Sequence, residues 1–191
     1  MKQCSKQKTY SMVIAAMLLA VGIILPFITG NIQAIAKIIS PLHIPVLICG
    51  LCCGWKWGLA LGAILPLLRG LLFGIPVFPT SALPMAFELA AYGTFTGLLY
   101  SVFLNRSRSG KHLGGILFAL ITSMIIGRFV GGAAKALFLS LGVIGSKTPF
   151  TFAAFFTSYF VSTALGALIH IFLIPVVVLA LEKAKLSPMT V

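Results

Sequence analysis

The chain has 191 residues, 60% of them hydrophobic and 8% charged, and its fourteen Lys and Arg outweigh Glu88 and Glu182 to give a formal charge of +12. A soluble domain of this length cannot cover so much apolar surface, so the composition defines an integral membrane protein. The cations are scattered through short polar stretches and inside apolar runs, which argues against a nucleic-acid face and leaves membrane lipid as the surrounding partner.

Gly, Pro and charge clusters punctuate six apolar segments, at roughly 10–30, 42–55, 57–75, 80–104, 113–142 and 150–182. They predict an all-α polytopic membrane protein with six transmembrane helices, forming a single domain over residues 1–191. The first segment follows a Lys-bearing leader and precedes a small-x-small "AIA" at 34–36, as a signal peptide would. Its apolar run, Ser11 to Ile28, is long for such a peptide and equally apolar segments follow, so it is read as a retained spanning helix. Ala16 and Ala20 give it a small-xxx-small face.

The connection "TGNIQAIAKIISPLH", with Asn31 and Gln33, is long and polar for a membrane loop. It reads as a lid over a site, or as surface packing or disorder. The second segment is short, with Pro41 and Pro45 crowding its start. Its C-x-x-C, Cys49 and Cys52, has no second ligand pair downstream and reads as packed small residues. Gly50, Gly54, Gly58 and Gly62 form a four-residue series across the next turn, and Gly93 and Gly97 form another; both suggest close helix packing.

The fifth segment contains "SMIIGRFVGGAAKALFLSLG", in which Arg128 and Lys135 lie seven residues apart, two turns along one helix face. Each such charge costs about 2.5–3.5 kcal/mol near the bilayer centre on insertion scales. The sixth segment exceeds the length of a span, and Pro175 is expected to kink it. His170 is placed in its inner half, away from the other charges and with no companion ligand, so no metal is expected there.

Six spans put both termini on one side. With that side cytoplasmic, the inner loops and ends hold Lys2, Lys6, Lys8, Lys56, Arg106, Arg108, Lys111, Lys183 and Lys185, and the outer loops hold Lys37 and Lys147. This bias predicts a multi-pass cell-membrane protein with cytoplasmic termini. Arg69, Arg128 and Lys135 remain inside the membrane with Glu88, all at the midplane or in the outer half.

Three cations against one carboxylate leave an excess that a bound anion would balance, and Arg suits carboxylate or phosphate geometry. The plainer reading pairs Glu88 with Arg128 structurally while Lys135 snorkels outward. Tyr92, one turn below Glu88, and Ser158 and Tyr159 lie at a suitable depth to complete a site, although Tyr159 reads equally well as a packed aromatic. Phe150, Phe152, Phe155, Phe156 and Phe160 suit packing and lipid contact. No G-x-x-x-x-G-K-[ST], G-x-S-x-G or H-E-x-x-H occurs, and two carboxylates are poor provision for acid–base catalysis, so neither an enzyme nor a cofactor is expected.

The six-span basic chain, the Ala-x-x-x-Ala of the first helix and the polar first outer loop together resemble the S component of an energy-coupling factor (ECF) transporter. The stretch "HIPVLICGLCCGWKWGLALGAILPLLRGLLFGIPVFPTSALPMAFELAAYG" resembles a vitamin-uptake subgroup that includes pantothenate-type members. The resemblance covers essentially the whole chain. It implies capture of a small-molecule vitamin on the outer side, followed by association with a transmembrane coupling protein and two cytoplasmic ATPases. It further implies that Ala16 and Ala20 contact the coupling protein, and that the pocket lies between the outer parts of the later helices, beneath the first loop.

The expected substrate is therefore a small anionic vitamin, with pantothenate the named candidate because it joins a carboxylate to hydroxyl and amide groups. Depth and chemistry nominate Arg128, Lys135, Arg69, Glu88, Tyr92, Tyr159, Ser158 and Asn31 as binding residues, with Arg128 as the carboxylate anchor. The alternative is a self-sufficient secondary transporter or channel for a small organic anion.

Overall fold

The computed structural model describes residues 2–28, 40–106, 112–144 and 151–184, and Asn31 and Gln33 lie outside them. The described chain is helical: α1 (Lys2–Ile28), α2 (His43–Cys53), α3 (Trp55–Phe73), α4 (Ala82–Arg106), α5 (His112–Ser140), α6 (Phe152–Phe156), a π-helical turn (Thr157–Val161) and α7 (Ala164–Lys183). Among the described residues there is no strand. Long side chains such as Met17, Leu71, Phe172 and Val176 face outward, with Phe172 74% exposed. A bundle whose exterior is apolar is built for lipid.

Among the described residues five helices are long and apolar enough to cross a membrane, and α2 is not. Its 11 residues rise only about 16 Å, roughly half of a hydrocarbon core of about 30 Å. The second of the six expected spans is thus a half-length helix. Nearly every residue of it is buried, including Val46, Leu47, Cys49 and Leu51 with no exposure. Around it close Leu65 from α3, Leu89 from α4, Ile116 and Leu120 from α5, and Ile174 and Val178 from α7. The reduced cysteines Cys49, Cys52 and Cys53 belong to this core.

Gly54 alone joins α2 to α3, with φ at +89°, a conformation that side-chain-bearing residues rarely adopt. Beyond it the glycine series finds its use. A Cβ on Gly58 would come within 2.5 Å of the Gly93 carbonyl oxygen, and Gly62 lies in the same way against Leu89, so α3 and α4 run antiparallel with their backbones in contact. Helix α4 then packs antiparallel on α5, Phe103 against Gly115, Tyr92 against Gly127 and Glu88 against Gly131. The buried Thr96 and Ser123 hydroxyls meet between these helices at 2.7 Å. Backbone approach through small residues, with a polar contact between them, is how helices associate without a hydrophobic driving force.

Helix α7 continues through Pro175, and the last segment is irregular before it, in the π-helical turn and at Ser162–Thr163. Arg69 is 1% exposed and directed at α1: its Nη1 donates to the Ile23 carbonyl at 2.7 Å, and its guanidinium lies over the rings of Phe27 and Phe73 at 5.2 and 5.8 Å. It ties α3 to the Pro26-containing end of α1, so this cation is accommodated by a carbonyl and two aromatic faces.

Near the other end of the bundle, buried Tyr100 donates to the Glu182 carboxylate at 2.6 Å, joining α4 to α7. A hydrogen bond to a charged group contributes about 1.5–3 kcal/mol. Tyr100→Phe should lower the thermal unfolding temperature of the detergent-solubilised protein accordingly, and an unchanged transition would mean that the bond contributes nothing to stability.

Candidate functional site: a buried polar cluster

The second polar cluster begins on α4. Glu88 and Tyr92, four residues apart, share one helix face, and the Tyr92 hydroxyl donates to Glu88 Oε1 at 2.7 Å. Both lie against α5 where it has no side chain. A Cβ on Gly131 would come within 2.8 Å of Glu88 Cβ, and one on Gly127 would overlap the Tyr92 ring. Arg128, next to Gly127, reaches the other way: Nη2 donates to the Thr163 carbonyl at 3.3 Å, and the guanidinium covers the Phe160 ring at 5.4 Å. It is also close enough to the Tyr92 hydroxyl to interact with it.

The π-helical turn supplies Tyr159. Its hydroxyl donates to the Gly131 carbonyl at 3.3 Å, and its ring lies 5.2 Å from that of Phe155. The wider turn leaves backbone carbonyls that need partners; the Thr163 hydroxyl donates to the Tyr159 carbonyl at 2.6 Å, and the Ser162 amide to Thr157 at 2.9 Å. Such turns recur where a helix must redirect a side chain. Glu88 lies within electrostatic reach of Tyr159, so the carboxylate, the two phenols and the guanidinium form one group.

The short α2 completes it. Its first residue, His43, is buried in the bundle, 8% exposed. His43 Nε2 faces Glu88 Oε1 at 3.8 Å, and the ring lies 5.1 Å from Tyr92 and stacks on His170 at 5.7 Å with planes 20° apart. Sequence reasoning missed His43 and set His170 apart. Counting residues from the ends of assumed full-length spans places His170 too far in, and the length of α2 is the sequence feature that would have corrected it.

The nominated residues therefore divide. Arg128, Glu88, Tyr92 and Tyr159 come together. Arg69 sits against α1, and Ser158 is exposed on the π-helical turn. Lys135 is half-buried two turns further along α5. In place of the Glu88–Arg128 pair of the plainer reading, the Tyr92 hydroxyl lies between the two side chains, and His43 Nε2 lies 3.8 Å from the carboxylate. Ala16 and Ala20 are exposed on α1 beside buried Ala15. Among the described residues no group of three His, Cys, Asp or Glu side chains gathers as a metal site would require.

Chemically the cluster offers two unlike ends. A guanidinium has five N–H donors in a planar fork, and the Thr163 carbonyl accepts from Nη2. Across the Tyr92 hydroxyl from it lie an acceptor-rich carboxylate and an imidazole. Ionisable side chains gathered in the interior of a membrane bundle mark a candidate functional site.

Comparison with known families agrees. The family described as "ECF transporter, substrate-specific component" matches residues 10–181, and the chain belongs to that family. It is a substrate-binding component of a transporter that works with an ECF module, and its family is not one of enzymes. No curated protein and no solved structure matches the chain.

Proposed function

We propose that the cluster around Glu88 and Arg128 is the substrate site, and that the substrate is a small anionic vitamin, with pantothenate the candidate. The observation that carries this reading is the Arg128 guanidinium, placed inside the bundle beside Tyr92, with a backbone carbonyl and a ring face as its other contacts. An Arg held this way presents a planar fork suited to a carboxylate. Glu88 and Tyr92 then meet the hydroxyl and amide portion of the substrate, and Tyr159 bounds it. Lys135 adds positive potential along the same helix.

In this reading both termini are cytoplasmic, capture occurs from the outer side, and a transmembrane coupling protein with two ATPases completes uptake. The test is dependence. Protein reconstituted alone in liposomes should bind pantothenate without accumulating it, and accumulation should require the coupling protein, the ATPases and ATP. Uptake by the chain alone would favour a self-sufficient carrier.

The exposed Ala16 and Ala20 face of α1 is assigned to the coupling protein, because small residues there let a second backbone approach closely. Ala16→Trp should abolish co-purification with the coupling protein while leaving substrate affinity within a few-fold, since α1 contributes no side chain to the cluster described above. Lost binding with intact assembly would contradict the assignment.

A further inference from the structure

We infer that His43 reads the substrate, its Nδ1 accepting a hydrogen bond from a substrate hydroxyl or amide N–H. The inference rests on the proposed substrate site and names a residue that sets its specificity.

The tautomer of His43 decides which of its nitrogens can accept a hydrogen bond. His43 Nε2 is turned toward Glu88 Oε1 at 3.8 Å. A carboxylate only accepts, so the nitrogen facing it is the one that carries hydrogen. In the neutral imidazole the other nitrogen is then a bare acceptor. That atom, Nδ1, is buried and has no hydrogen-bond partner among the described residues.

Nearby hydroxyls are committed elsewhere: Tyr92 donates to Glu88, Tyr159 to the Gly131 carbonyl and Thr163 to the Tyr159 carbonyl. The ring is also held in place, between Tyr92 at 5.1 Å and His170 at 5.7 Å, while its backbone amide is tied to the Ser40 carbonyl at 3.0 Å. It cannot easily turn to find another donor.

Buried polar atoms in folded proteins are nearly always satisfied, and each exception calls for an explanation. Here an oriented acceptor lies beside a carboxylate in the interior of a substrate-binding protein, and the missing donor is the substrate. A site built to bond a substrate hydroxyl or amide discriminates strongly against an analogue that lacks it, because its own polar atom is then left unpaired. The substrate class that follows is a small molecule carrying both an anionic group and a neutral hydrogen-bond donor.

The test uses the full chain labelled with 15N-histidine in detergent, with pantothenate as the probe and His43→Phe to assign the resonances. The free protein should show His43 neutral and protonated at Nε2, and saturating pantothenate should move the Nδ1 resonance while Nε2 stays protonated. An Nδ1–H tautomer or an imidazolium in the free protein would overturn the inference whether or not pantothenate binds. Binding by calorimetry that leaves Nδ1 unmoved would also overturn it. Wild-type protein that gives no calorimetric response to pantothenate would count instead against the substrate proposed above.

His43→Phe keeps the stacked ring and removes both nitrogens, and should weaken pantothenate roughly 10- to 100-fold. His43→Asn, whose amide oxygen falls near the Nδ1 position, should recover part of that loss. Wild-type affinity in a folded His43→Phe protein would refute the role, and if that variant does not fold, the tautomer measurement decides.

Discussion

Arg128→Gln is expected to weaken pantothenate binding by about 1.5–3 kcal/mol, roughly one to two decades of affinity, because it removes a charge-assisted bond to the carboxylate. The same substitution should matter much less for the amide analogue of pantothenate, which carries no charge for the guanidinium to meet. Arg128→Lys keeps the charge without the planar fork and should fall between wild type and Gln. The structural part of the change is the same for both ligands: Nη2 gives up the Thr163 carbonyl and Phe160 loses its cation. Calorimetric titration of each protein with acid and amide separates the two contributions. Equal losses for acid and amide would mean that Arg128 holds the bundle and not the substrate.

The largest stability effect should come from Gly93→Val. A Cβ at Gly93 would overlap the backbone carbonyl of Gly58, so the strain cannot be relieved by rotating a side chain and α3 must move off α4. Overpacking against flexible side chains typically costs about 1–3 kcal/mol, and a clash with backbone lies at or above the top of that range. Gly114→Ala is the control, since no atom of the described residues lies within 4 Å of the added carbon and Ala is the better helix former. Thermal unfolding in detergent should show a large downward shift for Gly93→Val and none for Gly114→Ala. Comparable behaviour of the two would contradict the α3–α4 contact described here.

The helical membrane fold was legible because hydropathy and helix period are local properties of the chain, and the Gly58, Gly62 and Gly93 spacing already marked the helix faces that meet. The joint presence of Arg128, Glu88, Tyr92 and Tyr159 followed from depth, which residue counting gives along straight, full-length helices. The same counting failed at α2. Helix α2 is half the expected length, and its first residue, His43, lies beside Glu88, with His170 stacked on it.

Depth alone also could not separate Arg69 from Arg128. Residue counting puts both at similar depths, but one reaches the Ile23 carbonyl on α1 and the other Thr163. The low charge content hid a further point, that a cation in the bundle can be accommodated by a backbone carbonyl and aromatic faces as well as by an anion.

The most direct measurement is of what the protein carries. Wild-type chain purified from its membrane in mild detergent, then denatured and extracted, should release one small molecule in near-equimolar amount, identified by mass spectrometry. The account predicts an anion bearing a hydroxyl or amide donor, retained by wild type and lost from Arg128→Gln. A cationic or wholly apolar compound at that stoichiometry, or the same anion held equally by the Arg128→Gln protein, would contradict it.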